Sequence, residues 1–248
     1  MKVLITRPSA QADDFAGQLR SAGFEPISFP VIEIQPIEEN TALDWALGKL
    51  DCYEWVVFTS VNAIDVVFKR LPSVSALEGM SVKFAAIGPK TASALKERGI
   101  TAHFVPEEYV AEAILPGLGD LRGKWVLLPR AEIARKALPE AILQAGGIPH
   151  EISVYKTLPA QVDLQGLAAL QAGVDVITLT SPSTVQNFVA IVRQYGLDPL
   201  HLPNNPVFAC IGPITEQAAK EAGLPKMIVA KEYTADGLIT VLKDLEVS

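Results

Sequence analysis

The chain has 248 residues, a formal net charge of −7 and a hydrophobic fraction of 49%. This composition excludes intrinsic disorder, and the length suits two ordinary domains. The acidic balance argues against a nucleic-acid partner, which requires a basic face. No apolar run approaches the roughly 18 residues of a membrane span, and the first apolar run is too short for a signal peptide. We therefore expect a cytoplasmic protein with no membrane partner.

Cysteines and histidines give no sign of a metal site. Cys52 and Cys210 lie far apart, which argues against a disulfide or a zinc site and predicts two small buried side chains. His103, His150 and His201 stand in unrelated contexts and are predicted to be surface or loop residues. The chain contains no Walker A loop, dinucleotide fingerprint or His-Glu-x-x-His motif. An enzyme with this sequence is therefore expected to work without a cofactor or a metal.

The first half of the chain alternates buried strands with amphipathic helices. Residues 3–6 form a short apolar strand, and the helix after it carries an apolar stripe and ends at Gly23. Prolines punctuate the extended run 27–34, so its latter part is predicted to be a connector. The remaining predicted elements of this half are a strand over 55–59 with its helix, a strand over 83–87, a helix over 91–98, a strand over 102–105 and a helix over 110–118.

The second half shows the same alternation. A strand opens it at 125–128, and Pro139 interrupts the next apolar run, which predicts a helix that begins at that proline. Residues 148–158 are predicted to be extended. Strands over 175–180, 207–211 and 227–230 follow, each with a helical pattern after it.

The two halves are copies of one unit of roughly 125 residues, the size of a domain. Phe58-Thr-Ser-Val-Asn-Ala-Ile64 returns as Leu179-Thr-Ser-Pro-Ser-Thr-Val185, and Phe84-Ala-Ala-Ile-Gly-Pro-Lys-Thr91 returns as Phe208-Ala-Cys-Ile-Gly-Pro-Ile-Thr215. The spacing is steady, with 121 residues from Ser60 to Ser181 and 124 from Gly88 to Gly212. The pair Glu108-Tyr109 likewise matches Glu232-Tyr233.

Alternating strands and helices predict right-handed βαβ units and parallel sheets. Each copy supplies five strands, which suits a flavodoxin-like doubly wound sheet. Two arrangements remain open. Either each half folds by itself, or the first βαβ piece of one half completes the sheet of the other, which gives one domain of 1–37 with 159–248 and an inserted domain of 38–158. Periodicity does not choose between them.

The candidate site lies at the carboxyl ends of the strands, where open α/β sheets bind ligands. Hydroxyl groups, glycines and helix N-termini gather there and favour a carboxylate or phosphate. The same residue types also suit helix caps and turns, and each arginine can pair with a local carboxylate. Because the whole set is duplicated, we predict two half-sites for a ligand with several anionic groups. The set comprises Arg7, Ser60, Asn62, Gly88, Thr91, Arg130, Ser181, Ser183, Gly212 and Thr215.

Several of these motifs together resemble the uroporphyrinogen-III synthase family of tetrapyrrole biosynthesis, over nearly the whole chain. They are Val3-Leu-Ile-Thr-Arg-Pro8, Phe58-Thr-Ser60 with Asn62-Ala63, Ala86-Ile-Gly-Pro-Lys-Thr-Ala92, Val154-Tyr-Lys-Thr157, Thr180-Ser-Pro-Ser183 and Ile211-Gly-Pro-Ile-Thr215. The resemblance implies the inserted-domain arrangement, with two flavodoxin-like doubly wound parallel-sheet domains joined by a two-stranded hinge and a site in the cleft between them.

The resemblance also implies a reaction. The linear tetrapyrrole hydroxymethylbilane is cyclised to uroporphyrinogen III, with loss of water and inversion of ring D, without a cofactor. Tyr155, whose phenol can donate a proton, becomes the candidate for assisting departure of the hydroxyl. The substrate's eight carboxylates suit the duplicated strand ends. We expect a monomer; the alternatives are a non-catalytic two-lobed binder of an anionic ligand and an enzyme acting on phosphorylated sugars.

Overall fold

A computed structural model describes residues 1–77, 79–108 and 111–247. Tyr109, which belongs to one of the repeated pairs, and residue 110, where a helix was predicted to begin, lie outside the described residues. In the described part of the chain, no helix is long and apolar enough to cross a membrane.

The strands are β1 (Lys2–Ile5), β2 (Glu25–Ser28), β3 (Ile32–Pro36), β4 (Trp55–Phe58), β5 (Lys83–Ala86), β6 (Trp125–Ala131), β7 (Ile148–Pro159), β8 (Val176–Leu179), β9 (Val207–Cys210) and β10 (Met227–Val229). The helices are α1 (Ser9–Ser21), α2 (Thr41–Leu47), α3 (Val61–Arg70), α4 (Pro89–Lys96), α5 (Leu115–Leu118), α6 (Ala137–Gln144), α7 (Leu164–Ala172), α8 (Pro182–Gln194), α9 (Pro213–Glu221) and α10 (Ala235–Val247). Short 3-10 helices span Leu50–Cys52, Val74–Leu77 and Ala111–Ile114.

The first compact unit consists of Met1–Glu33 and the described residues from Leu158 onward. Its sheet has the order β10-β9-β8-β1-β2, and all neighbouring strands are parallel. When its strands are numbered along the chain, this is the 2-1-3-4-5 order of a flavodoxin-like sheet. Two apolar clusters cover this sheet, one containing Leu4 and Phe188 and the other Val3 and Phe15.

The second compact unit is Ile34–Thr157. Its sheet has the order β3-β7-β6-β4-β5, and the β7-β6, β6-β4 and β4-β5 pairs are parallel. An isolated parallel bridge between Ala85 and Phe104 extends the sheet beyond β5. Two apolar clusters again lie against the sheet, one around Phe58 and one around Leu128. The fold is therefore α/β with two parallel-dominated sheets, as the alternating pattern predicted.

The two sheets place the repeated strands in the same order. In the first unit, β2, β1, β8, β9 and β10 are successive neighbours. Their repeat partners in the second unit, β7, β6, β4, β5 and the Phe104 bridge, follow one another in the same way. Each sheet therefore combines strands from both copies of the repeat, because β1 pairs with β8 rather than with β4.

Some local predictions were wrong. The latter part of the run 27–34 begins strand β3 rather than a connector, and this strand lies at a sheet edge, where prolines are tolerated. Of the strand predicted over 102–105, only the single bridge at Phe104 forms. Helix α6 begins two residues before Pro139, because the first turn of a helix needs no N–H from its third residue. Cys52 is exposed, whereas Cys210 is buried as predicted.

Candidate active site

Three neighbouring parallel strands of the first unit end beside predicted site residues. Arg7 follows β1, and Ser181 with Ser183 follows β8. Gly212 and Thr215 follow β9, which is the next strand of the sheet. Since the strands are parallel, their carboxyl ends share one edge of the sheet. The structure therefore brings this half of the predicted set to one edge.

Ser181 caps α8 through a reciprocal pair of hydrogen bonds. Its Oγ accepts from the Thr184 backbone N–H at 3.2 Å, and the Ser181 N–H donates to Thr184 Oγ1 at 3.0 Å. The hydroxyls of Ser181 and Ser183 also lie within hydrogen-bond distance, at 2.9 Å. These serines thus stabilise the first turn of α8. This is the helix-cap role that the sequence analysis gave as the alternative to ligand binding.

The N-terminus of α9 is shaped differently, because its cap residue is Gly212 and no side chain caps it in the described structure. The Thr215 N–H donates to the Gly212 carbonyl at 3.1 Å, and Thr215 is buried in this first turn. A Cβ on Gly212 would lie 3.2 Å from the Tyr233 ring, so the glycine allows that ring to approach the backbone. Pro213 stands at the first helical position, where its missing N–H has no partner to lose.

Arg7 is buried at the end of β1, and its guanidinium lies 4.6 Å from the centre of the Phe15 ring. Burial lowers the pKa of Arg7 from its ordinary value, and the charge of Asp14 acts in the opposite direction. Among the described residues, no carboxylate lies within ion-pair distance of Arg7, and the Phe15 ring provides a cation–π contact.

In the second unit, the other half of the predicted set lies at the carboxyl ends of β6, β4 and β5, which are again successive parallel strands. Ser60 caps α3 and Asn62 lies in its first turn. Gly88 is the cap residue of α4, whose N-terminus has no side-chain cap in the described structure, and Thr91 is buried in its first turn. The helices after β5 and β9 thus both begin without a side-chain cap, at glycines that occupy corresponding positions of the repeat.

Tyr155 lies on β7 and contacts a residue that follows β4. Its phenol donates a hydrogen bond to Ser60 Oγ at 3.1 Å, and the same Oγ accepts from the Ala63 backbone N–H at 3.2 Å. Tyr155 is 7% exposed, so most of its ring is packed in the core. The phenol oxygen is therefore held beside the N-terminus of α3, whose N–H groups favour negative charge.

Arg130 is 6% exposed at the carboxyl end of β6, and its guanidinium is occupied by the protein itself. Nη1 donates to Glu151 at 3.3 Å, and Nη2 donates to the Arg135 carbonyl. Its Nε is buried without a hydrogen-bond partner in the described structure. Burial lowers the pKa of Arg130, whereas Glu151 and then Tyr155 act to raise it, which places Arg130 in the electrostatic surroundings of Tyr155.

Two residues of this arrangement were not predicted from the sequence. Glu151 pairs with Arg130 and with Lys136, at 3.3 and 3.2 Å. The sequence pattern gave no signal for Glu151, because the register of β7 against β6 shifts between Ser153 and Tyr155, which breaks the alternation of faces between Glu151 and Tyr155. Nothing in the sequence pattern signalled the role of the Arg135 carbonyl, since a backbone acceptor leaves no residue-type signature.

Comparison with known proteins agrees with the fold and with the resemblance. Residues 13–240 match the family model described as uroporphyrinogen-III synthase HemD. The uroporphyrinogen-III synthase of Synechococcus elongatus is 32% identical over 247 residues, which cover 97% of this chain and 94% of that protein.

Solved structures show the same fold at lower identity. The crystal structure of the uroporphyrinogen-III synthetase of Helicobacter pylori has a TM-score of 0.66 at 19% identity, covering 98% of this chain and 99% of that one. A mutant uroporphyrinogen III synthase from Thermus thermophilus has a TM-score of 0.62, also at 19% identity, and both chains are fully covered.

Proposed function

Because the chain belongs to the uroporphyrinogen-III synthase family, we propose that it cyclises hydroxymethylbilane to uroporphyrinogen III, with loss of water and inversion of ring D. Membership of this family places the protein in porphyrin and heme biosynthesis. The contact that carries the proposed chemistry is the hydrogen bond from the Tyr155 phenol to Ser60 Oγ, at the carboxyl end of the second unit's sheet.

We propose that the strand ends of both units bind the carboxylates of the substrate, in a cleft between two domains divided at 37/38 and 158/159. The uncapped N-termini of α4 and α9 support this, because their N–H groups have no competing side-chain acceptor. Two positive side chains, one at each corresponding strand end, add to the attraction for anions. The proposed binding residues are Arg7, Ser60, Asn62, Gly88, Thr91, Arg130, Ser181, Ser183, Gly212 and Thr215.

Tyr155 is the proposed proton donor to the departing hydroxyl. As the carbon–oxygen bond breaks, the phenol proton passes to the hydroxyl oxygen, which leaves as water. A serine hydroxyl both donates and accepts, so the Ser60 O–H can then turn to donate to the phenolate oxygen. The Ala63 N–H continues to donate to Ser60 Oγ.

The inversion of ring D is a matter of geometry. Unaided, the linear tetrapyrrole closes to isomer I, in which ring D attacks through its unsubstituted carbon. Holding the chain folded so that ring D attacks through its substituted carbon favours a spiro intermediate that leads to isomer III. Holding the substituted carbon of ring D next to the carbon that loses the hydroxyl lowers the entropic cost of bringing them together. This effect needs no additional reactive group. We further propose that the protein acts as a cytoplasmic monomer.

The experiment supplies hydroxymethylbilane, freshly made from porphobilinogen, and separates the oxidised uroporphyrin isomers chromatographically. Predominant isomer III is expected. Isomer I alone, from protein shown to be folded, would refute the cyclisation proposal and leave a binder of anionic ligands.

The role of Tyr155 is tested with Tyr155→Phe, which keeps the ring and removes only the phenol oxygen. We expect turnover to fall by about 10²-fold, the lower range for loss of a general acid. Tyr195→Phe is the matched control, because Tyr195 is 40% exposed at the end of α8. Equal turnover in Tyr155→Phe and the control would remove Tyr155 from the chemical step.

A further inference from the structure

The loop between β6 and α6 contains an arginine, Arg135, that was not among the site residues predicted from the sequence. Its residues follow directly from the carboxyl end of β6, and they are tied to β7 by a hydrogen bond from the Glu132 N–H to the Tyr155 carbonyl at 3.0 Å. A second bond, from the Ala134 N–H to the Ala131 carbonyl at 3.1 Å, closes a turn within the loop. The backbone of this loop is therefore fixed beside Tyr155.

The other charged side chains around this loop are already neutralised. Glu132 pairs with Lys156 at 3.3 Å. Lys136 pairs with Glu151, which also pairs with Arg130. Among the described residues, each of these five groups has an opposite charge close by.

Arg135 is the exception. It is exposed, and within the described part of the chain its side chain has neither an ion pair nor a hydrogen bond. Its backbone, in contrast, is held by the buried guanidinium of Arg130, which donates to the Arg135 carbonyl. A buried charged group is expensive unless its donors are satisfied, so Arg130 favours one position of this carbonyl.

We propose that Arg135 binds a carboxylate of the substrate and that Arg130 is a positioning residue that acts through it. The proposal rests on the proposed function and refines it, since it assigns the exposed contact to Arg135 rather than to Arg130. A planar guanidinium can grip a carboxylate with two parallel hydrogen bonds, which fixes the direction of the bound side chain as well as its place. Such a contact beside Tyr155 would help to orient the linear tetrapyrrole before ring closure.

Steady-state kinetics with hydroxymethylbilane test the role of Arg135. Arg135→Gln is expected to raise KM by about tenfold at low salt and to leave kcat within about twofold, because the contact is made before and during ring closure. Added salt should raise the KM of the wild-type protein more steeply than that of the variant. The reason is that salt screens the charge of Arg135, which the variant lacks. Arg135→Lys, which keeps the charge without the fork, should give an intermediate KM.

Arg122→Gln is the matched control. Arg122 is also exposed, but it pairs with Asp120 and precedes β6, at the opposite end of that strand. The KM of the Arg122→Gln variant, and the dependence of that KM on salt, should equal those of the wild-type protein.

Arg130 is tested by a double-mutant cycle. Arg130→Lys cannot reach both Glu151 and the Arg135 carbonyl, so it should raise KM in the same direction as Arg135→Gln. Adding Arg135→Gln to Arg130→Lys should then raise KM by much less than the product of the two single effects, because both changes remove one contact. A purely structural role of Arg130 predicts independent effects that multiply.

The outcomes separate this inference from the proposed function. If the wild-type protein produces isomer III and Arg135→Gln shows an unchanged KM with an unchanged salt dependence, the inference about Arg135 is wrong and the proposed function stands. If the wild-type protein produces only isomer I, the proposed function itself fails.

Discussion

Replacing Gly166 by alanine tests how closely α7 packs on the segment that follows β2. A Cβ on Gly166 would lie 2.8 Å from Phe29 Cδ2 and 3.0 Å from Phe29 Cβ, and it would approach the Ser28 carbonyl oxygen more closely still. Phe29 is fully buried and packs edge-to-face on Phe188, with ring centres 6.4 Å apart. Neither the ring nor the backbone can move aside without disturbing the core, so α7 itself must shift.

Two opposing effects set the magnitude. Overpacking a close contact lowers the free energy of unfolding by up to about 3 kcal/mol, whereas alanine is a better helix former than glycine by about 1 kcal/mol. We therefore expect Gly166→Ala to destabilise the protein by about 2 kcal/mol. Gly17→Ala in α1 is the matched control, because a Cβ there would meet nothing within 4 Å. It should stabilise the protein by about 0.5–1 kcal/mol.

Urea unfolding followed by far-UV circular dichroism measures both variants. With a slope of about 2 kcal/mol per molar urea, the Gly166→Ala midpoint should fall by about 1 M, and the Gly17→Ala midpoint should rise by a few tenths. The three tryptophans, Trp45, Trp55 and Trp125, all lie in the second unit, so their fluorescence follows that unit separately. A Gly166→Ala midpoint equal to that of Gly17→Ala would refute the packing argument.

Two further predictions concern stability of the second unit. Asn40→Ala removes a cap that accepts from the Leu43 N–H at 3.1 Å and donates to the Ser153 carbonyl at 2.7 Å, so it should lower the free energy of unfolding by about 2 kcal/mol; a urea midpoint within error of wild type would contradict this. Burial lowers the pKa of His150 below 6.5, so stability is fully present above pH 6.5 and is lost as the pH falls through the folded-state pKa. Unfolding of His150→Phe should lack this loss below pH 6.5, and an identical pH profile in both proteins would refute it.

Local patterns predicted the strands and helices well, because burial of a strand or of one helix face determines the spacing of apolar residues close together in the sequence. Examples are the strands that precede Ser60 and Ser181 and the helices that follow them, and the parallel sheets follow from this alternation. The pattern did not decide which sheet β1 joins. Both copies present equivalent apolar strands, so the sequence pattern favours β8 and β4 equally as neighbours of β1, and only the assembled packing distinguishes them.

The contact between Tyr155 and Ser60 could not be predicted either, although both residues were predicted site residues. Tyr155 lies on β7 and Ser60 follows β4, and these strands are separated by β6 in the sheet. Strands two places apart are about 10 Å from each other, a distance that only a long side chain at the strand ends can span. The two sequence motifs, taken separately, do not show that the Tyr155 side chain spans this distance to Ser60.

The mixing of the two repeats in each sheet also affects the order in which the chain can fold while it is being synthesised. The second unit is continuous in sequence, so all of its strands are available once Thr157 has left the ribosome. The β1-α1-β2 piece is made before the second unit but must wait for β8, its partner in the sheet. At about 5–20 residues per second, the segment from the end of β2 to the end of β8 takes roughly 8–30 s to synthesise. During that interval the apolar strand Lys2–Ile5 has no native neighbour on one side, so it needs protection from aggregation until β8 has been made.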